Sequence, residues 1–336
     1  MENEIMVSIC CLAYNHEKYI RKTLEGFVNQ KTNFNYEILI HDDCSTDNTV
    51  NIVEEYRKKY PKLIKPIYQK ENQHSKGIKI SNVYQFPRAQ GKYIAMCEGD
   101  DYWTDMNKLQ KQYDKMEENT NCSICTHIVG HISESGERLY TTQPNKTVGE
   151  VLNNIISIES FFNILKKTCL PFQTSSYFIR KKYISDYLKG KSFFHEMKGV
   201  GDVPLIFYIM TRGNMYYIDE EMSLYRKNSI GSWSNNFSSN SACRLQYYHD
   251  EINFLEKYDL YTNSRFHQII EHMIECMIFD SYICRKEYKK IFQKKYRSVL
   301  LDGRITRKGI LYYFLYAYFP MIIKFYERIK RSNDEK

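Results

Sequence analysis

Short apolar runs alternate with amphipathic segments over roughly the first 120 residues of the chain. The runs IMVSICCLA, YEILIH, LIKPIY and KYIAMC are typical of strands because they are short and mostly apolar. Between them, apolar residues recur every three or four positions, as at Ile20, Leu24 and Phe27, which predicts helices. This alternation predicts an α/β fold with a mainly parallel sheet and flanking helices, in which Pro66 favours an edge position for the third strand.

Polar turns follow three of the four predicted strands. The first strand ends in Ala13 and Tyr14, the second in DDCSTDNT, which starts at Asp42, and the fourth in EGDD, which includes Asp100 and Asp101. The carboxyl ends of parallel strands lie at one edge of a sheet, where α/β proteins bind ligands. One acidic turn could simply cap a helix. Two of them on one edge favour a divalent cation with oxygen ligands.

Composition and charge limit the classes of function. The 336 residues are 43% hydrophobic and 26% charged, which is typical of a globular protein with one large or two modest domains. Residues 281–336 hold fifteen Lys and Arg against five Asp and Glu, so the rest of the chain sums to −2 within a total of +8. No nucleic-acid groove is expected in the main domain. Ten cysteines and no apolar leader favour free thiols and a cytoplasmic location.

Three ordered motifs resemble the family 2 nucleotide-sugar glycosyltransferases, which have the GT-A (Rossmann-like) fold. VSICCLAYNHEKYI, DDCSTDNT and GKYIAMCEGDDYW occur in the family's order and strand context over roughly residues 5–120, and a weaker match continues to about residue 235. The resemblance implies a GT-A domain over about residues 1–240. It also implies an inverting transfer of one sugar from a nucleoside-diphosphate sugar, most often a UDP-sugar, with Mn²⁺ or Mg²⁺.

The resemblance implies roles for residues around the nucleotide. Tyr14 corresponds to the residue beside the base, and Ala13 to a backbone contact with it. Asp42 corresponds to the carboxylate that accepts hydrogen bonds from uracil or ribose. Lys76 lies where the family often has a basic residue near the nucleotide, and Arg88 is the alternative.

The turn after the fourth strand is implied in metal binding. Asp100 corresponds to the residue near the ribose and the metal, and Asp101 to the direct metal ligand. A divalent cation on the diphosphate oxygens neutralises charge as the donor's bond breaks, and carboxylates suit such a cation. Carboxylates this close repel one another without a cation.

The attacking hydroxyl group needs a base, which in this family is a carboxylate in the second half of the domain. Asp202 precedes an apolar run and corresponds to that base, with Glu196 as the competing candidate and helix capping as the alternative role of Asp202. Gln173 and Trp103 are implied on the acceptor side, where Trp103 is either a sugar platform or a packing residue. Asn228 lies where many relatives have a His that can bind metal.

Residues 241–336 lie beyond these motifs and are expected to form a helical extension. Residues 309–323 carry no charge, include four tyrosines and have Lys and Arg on both sides. The run is too short to span a bilayer. It favours an amphipathic segment, at about residues 304–331, that docks on an anionic membrane and brings the enzyme to a glycan or polyprenyl-linked glycan at the inner face of the cell membrane. The alternatives are packing on the domain and packing on a second subunit as a homodimer.

Two other functions fit parts of the pattern. A nucleotidyltransferase of similar architecture favours a glycine-rich phosphate loop after the first strand, and CLAYNHEKY has no glycine. A non-catalytic, membrane-associated scaffold would keep the same fold without turnover. The acidic residues Asp42, Asp100, Asp101 and Asp202 argue against such a scaffold.

Overall fold

The computed structural model describes residues 4–145, 154–166, 171–197, 201–227, 229, 233–301 and 305–321. The chain divides into two units, Met1–Asn235 and Asn236–Lys336. The first unit contains the sheet with its flanking helices, and the second is helical. The sequence motifs suggested a division five residues later, at residue 240.

The sheet is built from strands that differ greatly in length. They are β1 (Ile5–Ala13), β2 (Asn35–Asp42), β3 (Ile64–Tyr68), β4 (Tyr93–Glu98), β5 (Tyr102–Trp103), β6 (Cys122–Ile132), β7 (Arg138–Gln143), β8 (Ile155–Ile156), β9 (Phe178–Arg180) and β10 (Asn214–Arg226). The helices that accompany them are α1 (Ile20–Val28), α2 (Thr49–Lys59), α3 (Lys108–Glu118), α4 (Ile158–Leu165), α5 (Lys181–Leu188), α6 (Phe193–Glu196) and α7 (Asp202–Met210).

The strands of the described residues form one mixed sheet. Its order is β3-β2-β1-β4-β9-β6-β10-β5, with β7 paired to β6 and β8 to β10. β1 to β4 are parallel, whereas β9 is antiparallel to both of its neighbours and β5 is antiparallel to β10. The predicted α/β sheet is therefore confirmed, and its second half mixes strand directions. β3 lies at the edge of the sheet, as predicted, where the missing backbone N–H of Pro66 is tolerated because one side of the strand has no partner among the described strands.

The central strand shows why this sequence folds into a covered sheet. Val7, Ile9 and Cys11 of β1 are fully buried, and the polar Ser8 between them is buried as well. A strand that is buried on both faces is typical of a parallel sheet with helices on both sides. α1 packs closely, because a Cβ atom at Gly26 would lie 2.9 Å from the carbonyl oxygen of Trp103.

The second unit is helical, as expected for the extension. Its helices are α8 (Trp233–Ser239), which starts at the division, α9 (Ser241–Tyr261), α10 (His267–Cys284), α11 (Tyr288–Ile291), α12 (Arg297–Leu301) and α13 (Arg307–Tyr318). A small core joins α10, α11 and α12 through Phe279, Ile291 and Val299. Across the described residues, no helix combines the length and the apolar character that crossing a bilayer requires.

Candidate active site

Strand pairing brings the two acidic turns together. β1 lies between β2 and β4, with Ala13 beside Asp42 and Leu12 beside Glu98. Because the three strands are parallel, residues 42–48 (the β2 turn) and residues 98–101 (the β4 turn) share one edge of the sheet. β10 points the same way as β4, so Arg226 at its end reaches this edge too.

Protein donors occupy the first carboxylates of the β2 turn. Asp42 is only 1% exposed, and its two oxygens accept the backbone N–H of Ser45, at 2.9 Å, and the Ser45 hydroxyl. Burial raises the pKa of Asp42, and the bonds from Ser45 oppose that rise. Asp43 accepts the backbone N–H groups of Gln73, at 2.7 Å, and His74, at 3.0 Å. Asp42 and Asp43 therefore order this turn and tether the neighbouring loop.

Asp47 joins the β2 turn to the turn after β1. Its carboxylate accepts the backbone N–H of Glu17 at 3.0 Å and that of Thr49 at 2.9 Å. Partial burial works against these bonds, but the donors from Thr49 and Glu17 prevail and lower the pKa of Asp47. Asp47 directly precedes Asn48, the N-cap of α2, and its bond to Thr49 satisfies the first backbone N–H of that helix.

The predicted nucleotide contacts differ in how the structure presents them. Tyr14 is 45% exposed directly after β1, so its ring is available to a base. Ala13 is buried, and its carbonyl accepts the N–H of Asp43 at 2.9 Å. Lys76 is exposed and pairs with Glu71. Tyr14 and Lys76 are thus open to solvent, whereas Ala13 supports the turn.

Arg88, the alternative to Lys76, is held by the sheet. Its guanidinium donates to the carbonyl oxygens of Lys65, at 3.0 Å, and Ile40, at 2.9 Å, and so joins β2 to β3. A side chain used in this way is not presented to a ligand. Sequence reasoning did not single out Lys79. Burial raises the pKa of Asp202, and the charge of Lys79 partly opposes that rise.

The β4 turn holds two carboxylate oxygens that lack a hydrogen-bond donor among the described residues, one on Glu98 and one on Asp101. Glu98 is partly exposed, and its Oε2 atom is buried with no hydrogen-bond partner among the described residues. Burial, followed by the charges of Asp100 and Asp202, raises the pKa of Glu98 to about 8. Asp100 is 8% exposed, and its Oδ2 atom accepts the Ser229 hydroxyl at 2.8 Å. Asp202 is linked to β4 by contacts. The Thr174 hydroxyl lies 3.5 Å from its carboxylate. The carbonyl oxygen of Tyr177, directly after the turn that Thr174 begins, accepts the Met96 N–H of β4 at 3.1 Å.

Asp101, the predicted direct metal ligand, has a protein donor on one carboxylate oxygen and none on the other among the described residues. It is fully buried, and its Oδ1 atom accepts the backbone N–H of Arg226 at 2.9 Å. Burial raises the pKa of Asp101 well above its usual range. The hydrogen bond to Arg226 joins the β4 turn to the end of β10 inside the fold. Of the three acids in this turn, Glu98 and Asp100 retain exposed surface.

Arg226 is a residue that sequence reasoning missed. Its Nε atom donates to the carbonyl oxygen of Asp100 at 3.2 Å, and its guanidinium also binds the carbonyls of Ser133, at 3.1 Å, and Glu134, at 2.8 Å. The same group lies 4.2 Å from the centre of the Tyr19 ring. One arginine therefore joins the β4 turn, the hairpin after β6 and the turn after β1. The pairing of β10 with β6, which brings Arg226 to this edge of the sheet, cannot be read from the local sequence.

His16 explains the glycine between the acids of the β4 turn. A Cβ atom at Gly99 would lie 2.7 Å from the His16 Nδ1 atom, so any side chain there would displace the imidazole. Nδ1 is buried and has no hydrogen-bond partner in the described part of the chain. Burial lowers the pKa of His16, although the charges of Asp100 and Asp47 act in the opposite direction.

On the acceptor side, Asp202 begins α7. Its Oδ1 atom accepts the backbone N–H of Val203 at 3.0 Å, and the Thr174 hydroxyl lies 3.5 Å from its Oδ2 atom. Burial raises the pKa of Asp202. Glu196, the competing base, is exposed on α6 and accepts the Ser192 hydroxyl at 3.4 Å. Burial and position therefore favour Asp202 over Glu196.

Trp103 does not provide an open sugar platform. It is only 4% exposed; its ring meets Phe27 edge to face at 4.7 Å, and the Lys108 ammonium lies 4.0 Å from its centre. The ring of Trp103 is therefore packed inside the fold. Gln173 is partly exposed and directly precedes the short turn that contains the Asp202 partner. Asn228 lies outside the described residues.

The donor atoms at the β4 turn fit an incomplete cation site. No group of three His, Cys, Asp or Glu side chains in the described ranges is arranged to hold a metal ion. Mg²⁺ is usually bound by one or two carboxylates, with phosphate and water oxygens as its other ligands. Glu98 and Asp100 supply such a pair, and the unpartnered Glu98 oxygen suits a hard cation that arrives with a phosphate ligand.

A mixed α/β sheet with acidic turns at the carboxyl ends of its parallel strands is the arrangement expected of the GT-A fold. Residues 8–188, more than half of the chain, match the Glycosyl transferase family 2 profile. The protein belongs to this family, as the sequence motifs implied.

Several relatives are similar over parts of their length. An uncharacterized protein of Mycobacterium tuberculosis is 31% identical over 231 residues, which is 68% of this chain and 60% of that protein. The putative teichuronic acid biosynthesis glycosyltransferase TuaG of Bacillus subtilis is 35% identical over 113 residues, 34% of this chain and 42% of that protein. The chain thus spans at most about 60% of the length of these relatives.

Solved structures share the fold at low sequence identity. Staphylococcus aureus TarS 1–349 aligns with a TM-score of 0.57 and 17% identity, covering 93% of this chain and 81% of that one, and it is also known in complex with UDP-GlcNAc. A mannosyltransferase of Pyrobaculum calidifontis, in complex with GDP-Man and Mn²⁺, aligns with a TM-score of 0.51 and 11% identity over 95% of this chain and 88% of that one.

Proposed function

We propose that this enzyme moves one sugar from a UDP-sugar to a hydroxyl group of a glycan, with inversion at the anomeric carbon. The observation that carries the proposal is the contact of Asp202 with the Thr174 hydroxyl, at 3.5 Å, which links this carboxylate to β4. The turn that Thr174 begins is followed by Tyr177, whose carbonyl oxygen accepts the Met96 N–H of β4 at 3.1 Å. A base and a pair of cation-binding carboxylates at one edge provide the two functions that a single displacement requires. The UDP and UDP-GlcNAc complexes of TarS support UDP as the nucleotide.

In this proposal the donor lies across the turns after β1, β2 and β4. The exposed ring of Tyr14 stacks on the base, and the turn under it is kept in shape by Ala13 and Asp42. Glu98 and Asp100 hold Mn²⁺ or Mg²⁺, and Asp101 is a supporting residue below them. The bound cation supplies charge neutralisation for the diphosphate leaving group.

Asp202 is the proposed general base. Its Oδ1 atom is occupied by the Val203 N–H, so Oδ2 takes the proton of the attacking hydroxyl group. The Thr174 hydroxyl near Oδ2 orients this oxygen. Gln173, the residue before Thr174, is proposed to contact the acceptor beside Asp202. The raised pKa of Asp202 makes it a stronger base than an exposed aspartate, because its pKa lies nearer to the pH at which the enzyme works.

The proposed acceptor is a cell-surface glycan carried on a polyprenyl lipid. TuaG is named for teichuronic acid biosynthesis, and TarS is named as a poly(ribitol-phosphate) β-N-acetylglucosaminyltransferase. Both names concern polymers, and an acceptor of this kind would be extended by this chain at the inner face of the cell membrane. This step of the proposal depends on the relatives' names and on the C-terminal segment.

Calorimetry with UDP, GDP and TDP, each with and without Mn²⁺, tests the donor site. We expect UDP to bind more tightly when Mn²⁺ is present, and Glu98→Gln to remove that difference. Equal binding with and without the metal would contradict the cation site. If a folded sample bound none of the nucleotides, the non-catalytic scaffold would become the better interpretation.

A further inference from the structure

One face of α13 is apolar and exposed to solvent. Leu311, Phe314 and Tyr318 are three and four residues apart and so lie on one side of the helix, and Tyr312 borders them. The exposed residues are Leu311 at 57%, Tyr312 at 48%, Phe314 at 40% and Tyr318 at 48%, and Phe319 and Met321 continue the run at 47% and 81%. We define the α13 face as Leu311, Tyr312, Phe314 and Tyr318. Exposed side chains of this size, clustered together, usually mark an interaction surface.

The opposite side of α13 is already used for packing. Tyr313 stacks on Tyr288 of α11 with 5.1 Å between ring centres, and Tyr316 meets the same ring at 5.6 Å. Ala317 is 6% exposed. Phe314 and Tyr318 also touch the Phe292 ring, at 5.6 and 6.0 Å between ring centres, so one edge of the α13 face is packed while its side chains stay 40–57% exposed.

Positive charges flank this apolar face in the sequence. Residues 303–326 contain Arg304, Arg307, Lys308 and Lys324 and no Asp or Glu. Arg307 and Lys308 are exposed in the first turn of α13. Cations next to an apolar, tyrosine-rich face match the chemistry of an anionic lipid surface, where acyl chains lie below charged phosphates.

We propose that the α13 face lies in the headgroup region of an anionic phospholipid membrane, with Arg307 and Lys308 on the lipid phosphates. A two-fold dimer through the same face would bring the cations of both copies to one interface, with no acid between residues 303 and 326 to offset them. A lipid surface supplies the missing negative charge. This inference uses only the second unit and does not depend on the sugar-transfer chemistry.

Flotation of the full chain with phosphatidylcholine vesicles, with and without phosphatidylglycerol, tests the inference. We expect binding to the anionic vesicles alone, and a loss of about tenfold or more for Leu311→Glu or Tyr318→Glu. Removal of the charges of Arg307 and Lys308 by Gln should weaken binding about fivefold for each cation. Leu260→Glu is the matched control, because Leu260 is 75% exposed on α9, outside the α13 face, and should leave binding unchanged.

Three results would overturn the inference. The first is equal binding to both kinds of vesicle, and the second is an equal loss for Leu260→Glu. The third is a dimer in sedimentation equilibrium that Leu311→Glu dissociates, together with no vesicle binding by the parent chain. Unchanged thermal unfolding and UDP titration of the Leu311→Glu chain would separate loss of this surface from misfolding or from failure of the donor site.

Discussion

The β2 turn and the β4 turn lie at the same edge of one sheet, yet their carboxylates have different partners. In the β2 turn, Asp43 and Asp47 accept backbone N–H groups at 2.7–3.0 Å. In the β4 turn, one oxygen of Glu98 and one of Asp101 are buried without a donor among the described residues. The carboxylates of the β2 turn are thus hydrogen-bonded to protein groups, whereas the β4 turn has carboxylate oxygens without a donor among the described residues.

This difference shows that an acidic motif is not by itself a metal site. Hydrogen bonds favour the charged form of a carboxyl group, whereas burial and neighbouring carboxylates disfavour it. Accordingly, the pKa of Asp47 is lowered and that of Glu98 is raised. A buried polar atom without a partner calls for an explanation, and a cation that arrives with the donor provides one. The following predictions test this contrast.

The largest effect is expected at Asp202, the carboxylate that acts on the β4 turn from the acceptor side. Asp202→Asn removes the proton acceptor and should lower kcat about a thousandfold, with little change in the KM for the donor. The change in kcat and KM is measured by the release of UDP from a UDP-sugar in steady-state assays. Glu196→Gln is the control and should keep nearly full activity. If Glu196→Gln caused the loss instead, the base would be misassigned.

The next effect separates the three acids of the β4 turn. Glu98→Gln and Asp100→Asn should each weaken Mn²⁺-dependent UDP binding at least about tenfold, because each removes an anionic oxygen ligand. Asp101→Asn should keep the metal dependence, since its Oδ1 atom can still accept the Arg226 N–H. Titrations of UDP with and without Mn²⁺ measure both. A loss of metal dependence in Asp101→Asn alone would restore Asp101 as the ligand.

The sequence was sufficient for the fold and for the neighbourhood of the site. The short apolar runs predicted β1 to β4, but β5, β8 and β9 have only two or three residues each and show no periodicity. The motifs also indicated Asp202. The division of roles within EGDD was beyond reach, because the Arg226 contact that occupies Asp101 comes from 125 residues further along the chain.

A smaller effect is expected from the β2 turn. Asp43→Ala removes the acceptor of two backbone N–H groups and should cost about 2 kcal/mol, the range measured for hydrogen bonds to charged groups. For a unit of this size that is a fall in Tm of about 4–8 °C. Thermal unfolding without nucleotide measures it, and Asp43→Asn, which keeps one acceptor, should lose less. An unchanged Tm would show that the β2 turn does not depend on Asp43.

The smallest effect has the opposite sign and is confined to a pH window. Glu98 has an ordinary pKa of 4.5 when unfolded and about 8 in the fold. Between these values the unfolded chain has lost a proton that the folded chain retains, so this group makes the protein less stable as pH rises from about 4.5 to about 8. Glu98→Gln cannot ionise and should avoid this loss.

In the presence of a chelator at pH 8.5, we therefore expect Glu98→Gln to unfold about 2–4 °C above the parent chain, which corresponds to about 1 kcal/mol for a partly exposed carboxylate. At pH 4.5 the two should coincide, because Glu98 is protonated in the fold and costs nothing there. Glu196→Gln, an exposed change of the same type, should show no such dependence. A stabilisation that is equal at both pH values would mean that packing, and not the charge of Glu98, distinguishes the β4 turn from the β2 turn.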